Sequence, residues 1–565
     1  MLVVAACSPG PTPTASSSAA VSASPAPAAT GASAASATAA PSASACPLVT
    51  TPASRPWNDG VWYEAFVRSF ADSNGDGVGD LRGLTARLDY LNDGNPAATT
   101  DLGVSGLWLM PIFKAASYHG YDVIDYRQVD PAYGTAADFT AFLAAAHKRG
   151  IKVILDLVMN HTSDQNPWFK ASAKGDPRYA DWYIWSDTDP GYLGPQGQTV
   201  WHPLNGRYYY GVFGAGMPDL NLRNPAVTAE LKSIAKFWLD QGVDGFRLDA
   251  VPYLIEDGQK QFSTPDTLAW LRDFQASVKA DNPAAMTIGE VWAGTSIAAQ
   301  YVPAATDLAF EFDLAAATVS TVQTGQPSTL ASAVGQTATA WPANQEGTFL
   351  TNHDQPRVMS QLGGRTDEAK LAAFLLMTEP GVPWVYYGEE LGLTGTKPDP
   401  QIRTPMPWTA NAKTGGFTTG RPWEPLAAGA AATNVATESA DASSLLNTYR
   451  SLIRLHDEQA PLHGGNTVPV TATGPVVAWL RTTADDVQLI LANTSDAATS
   501  AYSLTLDPAV GCWPAGQAAT VLAAVNMDAA PGAPADAAPA AGITGYQPFA
   551  TLPPHAGAVI DLGRP

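Results

Sequence analysis

From Trp57 onward, short runs rich in β-branched and aromatic residues alternate with stretches in which apolar residues return every third or fourth position. The short runs read as strands and the longer period as helices, so the chain predicts a repeated strand–helix unit. Eight such units can be counted, with strands at 61–67, 107–110, 153–158, 243–248, 286–291, 308–312, 348–351 and 382–387. Between them lie helical stretches such as 136–148, where Phe139, Phe142, Leu143 and Ala146 share one face. Alternating β and α elements imply a parallel sheet wrapped by helices, and eight strands predict a closed α/β barrel of the (β/α)8 type, with its active site at the strand C-termini.

Two segments break the rhythm. Residues 161–224, after the third strand, are rich in Trp, Tyr, Gly and Pro and too long for a bare connection, which predicts an inserted domain or a lid. After an amphipathic stretch near 443–455, apolar runs at 476–481, 487–491 and 558–562 predict a C-terminal antiparallel β-sandwich. The expected layout is a barrel over 57–160 and 225–464, an insertion over 161–224 and a β domain over 465–565.

The N-terminal region follows a different pattern. Residues 8–56 are dominated by Ala, Ser, Pro and Thr, too poor in large apolar groups to offset the entropy of ordering, and read as a disordered tether. Before it, Val4-Ala5-Ala6-Cys7 resembles the lipobox of bacterial signal peptides, so that residues 1–7 read as a signal remnant with Cys7 lipidated, an ordinary cysteine being the alternative. The protein is then expected outside the cell, held to the outer face of the membrane only through that lipid. Cys46 and Cys512 could pair in an oxidising compartment or remain free thiols.

Charge narrows the partners. With 52 acidic against 31 basic residues and no Lys/Arg cluster, nucleic acid is excluded as a partner. Separately, a monomer is expected, although nothing in the charge fixes the oligomeric state. The 16 Trp, 19 Tyr and 17 Phe provide flat faces for sugar rings as well as core packing.

Four polar clusters fall at predicted strand ends: Asp156 to His161, Gly245 to Asp249, Ile288 to Trp292, and Phe349 to Asp354. Any one of them could be a salt bridge or a helix cap; four at one barrel mouth point to chemistry. Glycoside hydrolysis needs one carboxylate at the anomeric carbon and one carboxylic acid for the leaving oxygen. Asp249 lies two residues beyond Arg247, so both side chains leave the strand on one side and the guanidinium favours an ionised nucleophile. Glu290 follows an apolar strand and precedes Trp292, surroundings suited to a protonated general acid. Asp354, beside His353, is left to bind sugar hydroxyls and distort the ring.

At these motifs the sequence resembles the α-amylase superfamily of glycoside hydrolases, family thirteen, from Trp57 to the C-terminus. The resemblance implies Asp249 as nucleophile, Glu290 as acid/base and Asp354 as transition-state stabiliser. It further implies that Arg247, His161 and His353 hold the glucose before the cleaved bond and that Tyr121 stacks on it, with Tyr118 and His119 in the same Tyr-His-Gly-Tyr motif. Met217-Pro-Asp-Leu-Asn221 and Ile402-Arg-Thr-Pro-Met-Pro-Trp408 look like a bacterial group of lipoprotein α-amylases between oligo-1,6-glucosidases and neopullulanases, which implies Arg403 near the active site. Asp249-Ala-Val-Pro-Tyr253 lacks the Lys-His many α-amylases carry there and is similar to trehalose synthases.

A metal signal stands apart. Asp72, Asn74, Asp76, Val78 and Asp80 set oxygens at every second position around glycines, as in a calcium loop, while Gly83 at position twelve excludes an EF-hand. A turn held by side-chain hydrogen bonds is the alternative. The resemblance implies Ca2+ in this loop and a second ion between Asn160 and Asp219. The expected function is hydrolysis of α-1,4 bonds in starch and maltooligosaccharides. A trehalose synthase-like isomerase, an oligo-1,6-glucosidase and a non-catalytic glucan-binding barrel remain as alternatives.

Overall fold

The computed structural model describes residues 57–58, 60–505, 518–536 and 544–563; Cys7, the 8–56 tether, Cys46 and Cys512 lie outside them. Eight parallel strands close into a barrel: β1 (Trp62–Ala65), β2 (Gly106–Leu109), β3 (Lys152–Leu157), β4 (Gly245–Leu248), β5 (Met286–Gly289), β6 (Leu308–Phe310), β7 (Glu346–Phe349) and β8 (Val382–Tyr386). Closure is made by β8 on β1, with Trp62 opposite Trp384. All eight predicted strands are present: five are shorter, and β2, β3 and β7 keep the predicted length but start one or two residues earlier. Val61, Met110, Val158 and Val291 are fully buried beyond the hydrogen-bonded ladder, so the apolar pattern recorded burial rather than pairing. The helix read over 136–148 is Ala136–Lys148, started by a reciprocal cap between Thr135 and Asp138.

Side chains alternate across each strand. One set (Tyr63, Leu107, Leu155, Phe246) joins the large outer core under the helices. The other (Trp62, Trp108, Ile154, Ile288, Phe310, Trp384) fills the barrel interior. Trp62 stacks on Trp384 at 5.0 Å, and Gly106 leaves room for it, since a Cβ there would lie 2.3 Å from the Trp62 ring. This aromatic plug floors the site. The next inward positions toward the strand C-termini are Glu64, Asp156 and Arg247, and the register sets Asp156 opposite Arg247.

Between β3 and β4 the chain forms a helix, Pro167–Ala173, and a three-stranded antiparallel sheet of Trp185–Ser186, Arg207–Tyr210 and Trp201–Leu204. After the barrel, a six-stranded antiparallel sheet faces a smaller one of three strands. Along Val476–Thr482, Val476, Ala478 and Leu480 enter the core between these sheets, while Val477 and Trp479 enter the barrel's outer core. Both faces are buried, which explains the continuous apolar run. The Trp479 indole donates to the carbonyl of Thr378 at 3.0 Å, the last residue of a helix, Thr366–Thr378, that is buried along almost its whole length. Near its start, Arg365 pairs with both Glu368 and Asp496, and His555 accompanies them, so the positive place in this acidic cluster is already taken by the guanidinium. No helix among the described residues is long and apolar enough to cross a membrane.

Burial lifts the carboxyls of Glu379, Glu389 and Asp457 to about 8 each. The folded state therefore holds protons that the unfolded chain releases near pH 4, and stability is lost as pH rises toward 8. Burial lowers His161 and His456 to about 3, which works in the opposite sense only below about pH 6.5. The melting temperature should rise by several degrees when pH falls from about 9 to about 6.5. A flat or declining calorimetric profile over that window would contradict these assignments.

Candidate active site

Arg247, 1% exposed at the end of β4, organises the barrel mouth. Its Nη1 donates to Asp156 Oδ1 at 3.0 Å and to Asp249 Oδ1 at 2.5 Å, and its Nη2 pairs with Glu290 Oε2 at 2.9 Å. Three carboxylates thus converge on one cation, whose guanidinium also packs over Trp108 at 5.0 Å. Burial raises Asp249 well above the usual carboxylate range and Asp156 to about 6; Arg247 opposes both rises, and the neighbouring carboxylates reinforce them. Burial and mutual repulsion thus outweigh the single positive charge, so Asp249 departs from the ionised nucleophile expected from Arg247 alone.

The backbone adds a contact. Ala250, next after Asp249, is left-handed (φ 47°, ψ 34°), a conformation that costs a non-glycine residue about 1–2 kcal/mol. In that turn its N–H donates to Glu290 Oε2 at 2.9 Å. Trp292 does not enclose Glu290: it is half exposed and stacked on Phe312 at 4.9 Å. The apolar surroundings expected for Glu290 are replaced by Arg247 and the Ala250 amide.

Asp354 lies across the mouth, its Oδ1 accepting from Arg403 Nη2 at 2.9 Å and its Oδ2 3.3 Å from His353 Nε2. Burial alone would raise it, but these neighbours hold it at about 2. Because burial keeps His353 well below its ordinary value and neutral, the cationic part of this hold comes from Arg403 first, then Lys397 and Arg247. Arg403 also donates from Nε to the His353 carbonyl at 2.9 Å.

His353 is fixed on both ring nitrogens, Nδ1 at 2.6 Å from Glu64 and Nε2 at 2.6 Å from the Tyr121 hydroxyl, which reaches Asp156 Oδ2 at 3.1 Å. Burial raises Glu64 well above the carboxylate range. One proton assignment satisfies all four groups: Glu64 donates to Nδ1, Nε2–H donates to Tyr121, and Tyr121 donates to Asp156. Glu64 was not among the residues expected at the site, although it stands one inward position above Trp62 on β1. Glu64→Leu should lower kcat about 10- to 100-fold through a mis-set His353, whereas Glu64→Gln, which can still donate, should stay within about threefold. Parental kcat in the leucine variant would exclude the positioning role.

Tyr121 stacks between His353 (5.5 Å) and His119 (6.1 Å), and Tyr118 packs between His119 and Trp423. His161 is buried and neutral, with its Nε2 bonded to no protein atom. Beside it Phe213, 39% exposed, bridges to Tyr253 and forms an aromatic wall.

The two sets of candidate calcium ligands differ. In the 72–80 loop Asp72 accepts from the amides of Asn74, Gly75 and Gly77 and from Thr418, and Asp76 accepts from Val78. Gly75 and Gly77 take φ of +85° and +94°, which turns the loop tightly, but among the described residues Asp72, Asp76 and Asp80 do not all converge to within ligating distance of one another. Asp80 departs from the expected pattern: it caps the following helix through Gly83 and receives Ser73 on its other oxygen. Asn160 Oδ1 and Asp219 Oδ2 are buried without a protein partner, a donor set that fits a hard cation.

A closed (β/α)8 barrel whose mouth gathers carboxylates around one arginine defines a glycoside-processing enzyme. The chain belongs to the α-amylase family, as the family model for the α-amylase catalytic domain matches residues 64–465. It is a glycoside hydrolase or transglycosylase of that family. Alpha-amylase 3 of Dictyoglomus thermophilum is 39% identical over 420 residues, 73% of this chain and 80% of that protein. A trehalose synthase/amylase of Mycolicibacterium smegmatis is 34% identical over 496 residues, 76% of this chain and 82% of its own. The crystal structure of α-amylase from H. orenii superimposes with a TM-score of 0.75 at 36% identity, over 89% of this chain and 99% of that one.

Proposed function

We propose that this enzyme hydrolyses α-1,4-glucosidic bonds of starch and maltooligosaccharides with retention of configuration. The observation that carries the proposal is the seating of Asp249 and Glu290 on the two terminal nitrogens of one guanidinium. Retaining enzymes keep their two carboxyls about 5–5.5 Å apart, and inverting enzymes need roughly 6.5–9.5 Å to admit a water. Seating both carboxylates on one planar fork supports the close class. Glu290 gives its proton to the glycosidic oxygen as Asp249 attacks the anomeric carbon and the C–O bond breaks. Glu290 then takes a proton from the water that displaces Asp249, so two inversions leave the α configuration. Asp354, held ionised, binds ring hydroxyls; His161, His353, Arg247 and Tyr121 fix the glucose, with Tyr118, His119 and Arg403 supporting that wall.

A second reading is favoured by Asp249-Ala-Val-Pro-Tyr253 and by the likeness to a protein named trehalose synthase/amylase. In it a sugar hydroxyl rather than water resolves the glycosyl-enzyme. Product analysis on maltose and maltoheptaose separates the two: net glucose and shorter maltooligosaccharides support hydrolysis, and trehalose without net glucose release overturns it.

Calcium is proposed in the loop of Asp72, Asn74, Asp76 and the Val78 carbonyl, and between Asn160 and Asp219. A bound Ca2+ would neutralise the clustered carboxylates, and the protein's own part is to hold the loop in its curled form. Chelation should lower the melting temperature by a few degrees, and an unshifted melting curve would count against both sites. Lipid anchoring at Cys7 and an extracellular place are supported by the lipobox-like start; membrane association that survives Cys7→Ser would reject the anchor.

A further inference from the structure

Away from the catalytic cluster, a cavity of about 420 Å³ opens between the inserted sheet and the segment 254–258 that follows β4. None of Asp249, Glu290, Asp354, Tyr121, His161 or His353 lines it. Its size lies within the roughly 300–1,000 Å³ of small-molecule sites.

The walls are aromatic, with Trp185, Tyr192 and Trp201 contributed by the insertion. Their charges balance, since Asp181 and Glu256 face Arg207 and Arg223. Both arginines have partners within the protein: Arg223 the Glu256 carbonyl and Asp266, Arg207 the Asp187 carboxylate and the Trp185 ring at 5.2 Å. Trp201, 8% exposed, borders the cavity with its indole N–H buried beside the Tyr192 hydroxyl, which it helps to hold in place. A strongly charged ligand would find no net complement here. A neutral, polyhydroxylated ring finds the Tyr192 ring to stack on, since Phe169 and Arg207 already cover Trp185, and a polar rim of Asp181, Glu256, Arg207 and Arg223.

We infer that this cavity is a second glucan-binding site, which holds one or two glucosyl units of a chain at a distance from the bond being cut. The choice of an α-glucan as occupant rests on the function proposed above. Tethering a long chain at two places raises the effective concentration of its other segments at the catalytic mouth, whereas a short substrate gains nothing.

The test uses the full chain carrying Asp249→Asn, so that polymer is not consumed, and reads its retardation in gels containing amylopectin, pullulan or dextran. Adding Tyr192→Ala should weaken retardation by amylopectin at least threefold. Trp201→Phe, which keeps the packing but removes the N–H, should weaken it in the same direction. With Asp249 intact, kcat/KM of the Tyr192→Ala enzyme on a short aryl maltoside should stay within twofold of the parent. Unchanged retardation in both variants would overturn the site. So would a parallel fall in aryl maltoside turnover, which would make the cavity part of the catalytic cleft. If the variants lose retardation by dextran or pullulan while amylopectin never retards the parent, the cavity stands and the α-1,4 reading fails.

Discussion

An Asp249→Asn enzyme should turn over maltoheptaose about 10⁴-fold more slowly than the parent, or worse, a loss of about 5.5 kcal/mol in transition-state stabilisation. The amide cannot form the glycosyl ester, and it also changes the charge presented to Arg247 Nη1, which now sits 2.5 Å from Asp249 Oδ1. Asp156 remains to pair with the same guanidinium, so the fold should survive, and melting within a few degrees of the parent would show that chemistry rather than structure was lost. Retention of more than about a hundredth of parental kcat would remove Asp249 from the nucleophile's role.

Glu290→Gln should separate substrates by their leaving groups. Loss of a general acid costs about 10²- to 10⁴-fold where the departing oxygen needs a proton, as it does for a sugar alkoxide. A dinitrophenyl α-glycoside leaves without that help, and its first step should fall by no more than about tenfold. The glutamine can still accept from the Ala250 amide, but it gives up the ion pair with Arg247 Nη2. Equal losses on both substrates would assign Glu290 to structure rather than proton transfer.

The barrel was legible because each strand carries a compact apolar run, and the polar cluster because inward positions recur every second residue. Arg247 and Asp249, two apart on and just after β4, follow from that period. What the pattern could not carry were contacts made only when the barrel closes. Glu64, alone at the end of an aromatic strand, gives no spacing signal until β7 delivers His353 to it. Ala250 offers none at all, since alanine does not announce a left-handed backbone. Adjacency of Trp292 to Glu290 in sequence does not make enclosure, because its ring turns to Phe312. The inserted sheet, with strands of two to four residues among glycines and prolines, falls below the length at which alternation can be recognised.

The strand Val476–Thr482, which presents Trp479 and Val477 to one side and Leu480 to the other, serves two interiors at once. Gly557 belongs to the same seam, for a Cβ there would lie 2.6 Å from the Phe374 ring. The C-terminal region is therefore a wall of the enzyme's housing rather than a passenger. A chain ending before residue 466 would leave the helix beneath it bare along an oily strip, prone to clump, and heat should melt the intact chain's two regions in a single step.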